Sequence, residues 1–391
     1  MKASKLIALF LCFVLIFGLI IGCSDTDAED PENGDEPSPG NGSGSGSVNS
    51  DIHDHSRIDF ESAVNAFPLE TVMIKSGDLT ITWAELYFFL FNAISETTYY
   101  FGNFNWSDQF IYEGTFADHV LEGTLEASLD ILAYNYGINS SGITLSADLL
   151  KAFNDEQDEI LELNGGREAV EEILFNNAGF INYDLYVEFN KLRLLVDMLV
   201  NHIYGEAAEN LPDEKVAAFA EVNDFLMAMH ILTSKTGEFD DPLGEAEKIL
   251  SILNEQSGSD DFTQFFHELM HEVSEDTGGL MSYPDGYLFV KEDMVSEFSL
   301  ATIGLEIGQL SGIVETDYGY HIILRIPIDY DIVPSGFSRQ GMMITLRQLA
   351  AHDDFEGQKA QWLDLLDVEF TPEFNSIDLS EIFKWVDDEC D

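Results

Sequence analysis

The sharpest chemical spacing in the chain is His267-Glu268-Leu269-Met270-His271, the H-E-x-x-H pattern in which two imidazoles a helical turn apart hold zinc and the glutamate acts as general base. Its surroundings argue against a zinc metalloprotease. Phe262, Phe265, Phe266, Leu269, Met270 and Val273 form the apolar stripe of the same helix, which at about 100° per residue turns both histidines toward solvent. Ser274 stands where the extended zinc-protease pattern requires glycine, and no histidine follows three residues later. Glu292 or Glu297 as a third ligand is a weak coincidence in a chain so rich in carboxylates, so a solvated helix face is the plainer reading. Two other histidines stand in short strand-like runs, His230 within Ala228 to Leu232 and His321 within Tyr320 to Arg325. Alone, each reads as a satisfied core residue.

The elements that position these residues alternate over residues 228 to 326. Helices are expected around Leu243 to Leu253, from Phe262 through Val273 and near Glu292 to Ile303, with a glycine-rich loop at Gly278-Gly279. Strands alternating with helices in so short a span make a compact α+β unit, whose first and last strands each carry one histidine. Upstream, Val72 to Ile81 predicts two strands around a Ser-Gly-Asp turn, and Thr82-Trp83-Ala84-Glu85 is a capping box that opens a helix at Trp83. Mainly helical patterning continues to about Ala220, with a further helix starting at Pro212-Asp213, and it returns at Leu346, Leu349, Trp362, Leu365 and Leu366.

With 391 residues, 45% of them hydrophobic, the chain has ample material for one or two packed cores. Its 17 basic against 73 acidic residues give a formal charge of −56, which repels phosphate backbones and anionic headgroups, so nucleic acid is excluded as a partner. Lys2 and Lys5 precede the apolar run Leu6 to Ile21, a signal-peptide pattern, and Leu19-Ile20-Ile21-Gly22-Cys23 resembles a lipobox in which Cys23 takes the lipid. Cys12 leaves with the signal, so Cys390 alone remains as a thiol and no structural disulfide is expected. Residues 23–56, acidic and Gly/Ser-rich, read as a flexible spacer.

Four segments of the central region, in order, resemble the parvulin-type peptidyl-prolyl isomerases. They are Met229-His230-Ile231-Leu232; Asp261-Phe262 through Ser274-Glu275-Asp276 to Gly278-Gly279; Glu292 to Phe298 with Gly308-Gln309-Leu310-Ser311; and Val314 to Ile323. With a lipobox in front and helical sequence on both sides, the layout resembles the PrsA-type extracytoplasmic foldase lipoproteins. The resemblance implies a parvulin-like domain, a small mixed sheet wrapped by helices, inserted in a mainly helical chaperone-like domain. The expected division is 1–22 signal peptide, 23–56 linker, 57–225 helical part, 226–328 isomerase domain and 329–391 a C-terminal helical part packing on the first.

Carried over residue by residue, the resemblance places His230 and His321 as a buried pair beneath the substrate and Asp276 as the third catalytic residue. Met294 and Phe298 line the proline pocket, and Thr316 supports the histidines. One departure is plain: parvulins carry Gly-Gly-Asp-Leu-Gly, whereas here Gly278-Gly279 runs on as Leu280-Met281-Ser282-Tyr283-Pro284-Asp285-Gly286. The activity implied is non-covalent twisting of Xaa-Pro bonds, with no cofactor and no metal. The implied partners are unfolded or partly folded exported proteins and the lipid bilayer, the latter through the N-terminal lipid alone; a homodimer is allowed. The implied location is the extracytoplasmic face of the cell membrane of a Gram-positive-type bacterium, held there by the lipid. Only Lys235 stands near His230 among acidic residues, so no phosphate-directed preference is expected. The alternative is a holdase with the isomerase site inactive, in which some of the flanking aromatics Tyr87, Phe88, Phe89, Phe91, Tyr99, Tyr100, Phe101, Phe104 and Trp106, most of them read as ordinary core, line a cradle for unfolded chains.

Overall fold

The computed structural model of the chain describes residues 56–111, 113–339 and 341–387. The signal segment, Cys23, most of the acidic spacer and Cys390 lie outside the described residues.

The described chain enters on β1 (Ser56–Ile58) and then folds the expected hairpin, β2 (Val72–Ser76) antiparallel to β3 (Leu79–Thr82). Thr82 closes the capping box of α1 (Trp83–Phe101): its hydroxyl accepts from the Glu85 N–H at 3.4 Å, and the Glu85 carboxylate accepts from the Thr82 N–H at 2.7 Å. Trp83, Leu86, Tyr87, Leu90 and Ile94 of this helix are wholly buried, a stripe wide enough to serve as the centre of the helical layer. Around it stand α2 (Phe116–Ser141), α3 (Ala147–Leu163), α4 (Arg167–Ala178), α5 (Tyr183–Tyr204) and α6 (Asp213–Val222), the last opening just past Pro212.

The central unit follows as β4 (Leu226–Ser234), α7 (Pro242–Gln256), α8 (Phe262–Val273), α9 (Thr277–Ser282), β5 (Tyr287–Phe289), α10 (Ser296–Ile303), β6 (Leu310–Glu315) and β7 (Gly319–Arg325). The strands form one sheet in the order β5-β4-β7-β6. The sheet is antiparallel throughout, which corrects the expected mixed sheet. The reason is connection length: β6 and β7 are joined by the short turn Thr316 to Tyr318, which an antiparallel pair alone permits. Almost every residue of β4 is buried, since α7, α8 and α10 all pack against the sheet.

Beyond the sheet come α11 (Ser335–Arg339), α12 (Leu346–Leu365), β8 (Glu369–Phe370) and β9 (Trp385–Asp387). β8 adds to β2 and β9 to β1, both antiparallel. Phe383 is wholly buried with its ring 6.1 Å from Tyr87, and its carbonyl accepts from the Trp106 indole N–H at 3.0 Å. The central sheet is therefore an insertion in a helical unit built from the described segments on either side of it. Among the described residues no helix is long and apolar enough to cross a membrane.

Candidate functional site

His230 lies opposite Ile323 and His321 opposite Leu232, so the two histidines are diagonal neighbours on one face of the β4–β7 ladder. Their Nδ1 atoms are 3.1 Å apart and their rings stack at 5.2 Å. His230 Nε2 meets Asp276 Oδ2 at 2.8 Å, and His321 Nε2 meets the Thr316 hydroxyl at 2.8 Å. The same Asp276 oxygen accepts from the Tyr287 hydroxyl at 2.8 Å, while its other oxygen accepts from the Gly279 N–H at 3.0 Å and so caps α9.

This connectivity fixes the direction of every proton when both rings are neutral. An ionised carboxylate only accepts, so His230 Nε2 carries hydrogen toward Asp276. His230 Nδ1 then accepts from His321 Nδ1–H, and His321 Nε2 accepts from the Thr316 O–H, whose oxygen in turn takes the Tyr318 N–H at 3.1 Å. The row Tyr318, Thr316, His321, His230, Asp276 is a one-way chain with each link satisfied, as buried polar groups require. Gly279 is part of it by being small. A Cβ there would collide with the Asp276 carboxylate and the Tyr287 hydroxyl.

Burial, and then the neighbouring His230, push His321 down to about 3, so it stays neutral. Burial alone would raise the Asp276 carboxyl, but the hydrogen bond from His230, with those from the Tyr287 hydroxyl and the Gly279 N–H, holds it well below the usual carboxylate range. Stability therefore depends on pH with a defined sign. Between about 3 and 6.5 the unfolded chain binds a proton at His321 that the folded chain refuses, so stability is full above 6.5 and falls as pH drops. We expect urea unfolding of the wild type to lose stability between pH 7 and pH 5 at roughly 1 kcal/mol per unit more than His321→Asn does. Parallel losses in both chains would contradict a buried neutral His321.

The apolar members lie beside this chain. Phe298 is 3% exposed, with its ring 5.2 Å from His230 and 5.6 Å from His321, edge to face with both. Leu226, Ala228, Phe289, Leu305 and Ile323 complete its cluster, and the half-buried Met294 packs against it. The helix expected near Glu292 starts only at Ser296; a 3₁₀ turn at Lys291–Asp293 leads to an extended Met294. Met294 and Phe298 thus meet through the cluster rather than along one helix. A small cavity beside His230 and Asp276 is lined by Met270, Ser274, Leu280, Tyr283, Gly286 and Tyr287; Met281 is 82% exposed. Gly278-Gly279, expected as loop, belongs to α9, because Asp276 supplies its cap.

Sequence reasoning missed Tyr287, whose ring stands edge to face with His230 at 5.5 Å. It reaches the site because β5 adds beside β4 in a register that sets Tyr287 opposite Ala228. Ser274 anchors the loop that carries Asp276, since its hydroxyl accepts from the Leu232 N–H of β4 at 3.1 Å. The H-E-x-x-H histidines are engaged elsewhere. His267 Nε2 meets Asp285 at 3.1 Å, and His271 Nε2 donates to the Pro284 carbonyl at 2.9 Å. A nitrogen that donates has no lone pair for zinc in this arrangement, and Glu268 accepts from Gln264. Among the described residues no group of three His, Cys, Asp or Glu side chains is placed to hold a metal ion.

Residues 214–325 match the model of the PPIC-type PPIASE domain, which with the sheet and the histidine pair makes this region a parvulin-type isomerase domain. Over a longer stretch the chain is similar to foldase proteins named PrsA. It is 31% identical over 223 residues to the foldase protein PrsA of Halalkalibacterium halodurans, covering 55% of this chain and 61% of that protein. Its identity to the foldase protein PrsA of Clostridium botulinum is 26% over 225 residues, covering 55% and 62%. The match thus spans about three-fifths of the length of these relatives. The crystal structure of PrsA from Bacillus subtilis aligns at 18% identity over 80% of this chain and 94% of that one, with a TM-score of 0.24, too low to bear on the architecture.

Proposed function

We propose that the chain is a peptidyl-prolyl isomerase and foldase that twists Xaa-Pro bonds of exported proteins, with His230, Asp276 and His321 at its catalytic centre and Met294, Phe298 and Thr316 forming the substrate pocket around them. The observation that carries this reading is the satisfied hydrogen-bond chain through His230, His321 and Asp276 set directly against the Phe298 ring. An Xaa-Pro amide resists rotation by about 18–20 kcal/mol because twisting breaks its resonance. The twisted amide is less charge-separated than the planar one, so a dry apolar wall favours it, an interaction stronger in the transition state than in the ground state. Met294, at the half-buried edge of the cluster, grips the ring, Phe298 backs it, and the two imidazoles set the polarity of the floor. Thr316 contributes by holding His321.

Asp276 acts through His230, since its carboxylate is already occupied by three donors. A protease-coupled assay on a Xaa-Pro peptide tests the proposal: the chain accelerates the slow phase, and a rate equal to buffer refutes it. Lipid attachment at Cys23 belongs to the same proposal and places the protein on the outer face of the membrane; mass spectrometry of the N-terminus of the chain isolated from membranes reads it directly.

A second reading has its own observation. Tyr99 and Tyr100, at the end of α1, are 81% and 69% exposed, unlike Tyr87, Phe88 and Phe89, which are core. Such a patch suits capture of unfolded chains. Suppression of aggregation by the chain, with no isomerisation detected, would favour it.

A further inference from the structure

The matched domain ends at Arg325, yet the chain continues along the site before it returns to the helical unit. Ser335 is wholly buried at the start of α11, and α11 packs on β5. Two contacts lead from here to the site. The Ser335 carbonyl accepts from the Tyr283 hydroxyl at 3.4 Å; the Tyr283 ring packs on Tyr287 at 4.6 Å, and Tyr287 holds Asp276 and faces His230. Gly336 lies against the Asp293 carboxylate so closely that a Cβ at 336 would collide with it. That carboxylate accepts from the Val290 N–H at 3.1 Å and closes the turn that delivers Met294 to the Phe298 cluster.

We propose that Ser335 and Gly336, beyond the matched domain, are positioning residues of the isomerase site: a strap that fixes the Met294 wall through Asp293 and the Tyr287 wall through Tyr283. The inference rests on the isomerase reading for its activity readout. In sequence the strap stands between the pocket and α12, which Thr345 caps, so it also links the pocket to the helical unit.

The test uses the full chain. Gly336 has no left-handed backbone angle, and the nearest atoms a Cβ there would meet all belong to the Asp293 carboxylate, so Gly336→Ala acts first on that contact. It is expected to raise KM for a Xaa-Pro peptide on the order of ten-fold with a smaller change in kcat, since a displacement near 1 Å at a positioning contact costs up to about 100-fold. Adding Asp293→Ser shortens the struck side chain, keeps an oxygen near the Val290 N–H, and is expected to restore KM. A role in folding only would lower the thermal midpoint and leave KM of the folded protein unchanged, which overturns the proposal. So does a double variant that folds and keeps the defect. Failure of the isomerase reading is separate: the unaltered chain then turns over nothing, and the methyl resonance of Met294 in methionine-labelled protein decides the strap, shifting with Gly336→Ala if the proposal holds and staying put if it does not.

Discussion

Asp276→Ala is expected to lower kcat/KM for Xaa-Pro isomerisation by roughly 100-fold, corresponding to about 3 kcal/mol of lost transition-state stabilisation. The substitution strips the acceptor from three donors at once, the His230 Nε2–H, the Tyr287 O–H and the Gly279 N–H. Each buried donor left unpaired costs about 1–3 kcal/mol, and the histidine pair loses the group that sets its proton direction. Asp276→Asn keeps one accepting oxygen but turns an N–H toward another donor, so it is expected to fall between wild type and alanine. Steady-state kinetics of the three chains checks the order. Equal loss in both variants would mean that charge alone matters, and wild-type rates in Asp276→Ala would remove this residue from the site.

Lys359→Met is expected to destabilise the helical unit by about 3–5 kcal/mol, lowering the thermal midpoint on the order of 10 °C. Lys359 of α12 reaches Asp130 of α2 at 2.8 Å, and their side chains are 8% and 6% exposed. Burial works against the ammonium, but the hydrogen bonds to Asp130 and Glu356 outweigh it and keep Lys359 charged. Removing it leaves Asp130 as an uncompensated buried carboxylate, the costly half of a buried ion pair. Lys359→Met with Asp130→Leu is expected to recover most of the loss, because well-packed apolar pairs replace buried ion pairs at little cost. Thermal melts of the single and double variants decide it; a double variant no better than the single would show that the pair is not an isolated unit.

Some of this was legible in the sequence and some was not. The Thr82 capping box, the β2–β3 hairpin and the helix Phe262–Val273 depend on local chemistry and read directly from a few neighbouring residues. The meeting of His230, His321 and Thr316 rested on the resemblance, since residues 91 positions apart share no local signal. Tyr287 was missed because its place depends on the register of an edge strand against β4, which no pattern within β5 reveals. The late start of α10 was missed because the stretch Glu292 to Glu297 has helical composition, while the Asp293 carboxylate, bonded to the Val290 N–H, closes a 3₁₀ turn first. The contact of Lys359 with Asp130 is likewise a property of how two distant helices pack.

The most direct test is exchange NMR on a Xaa-Pro peptide with catalytic amounts of the full chain. Cis–trans exchange is expected to be far faster than in buffer, largely lost in Asp276→Ala and retained when His267 and His271 are both replaced by alanine. Exchange no faster than in buffer, or exchange that survives Asp276→Ala and vanishes with the His267/His271 replacement, would contradict an isomerase centred on the histidine pair.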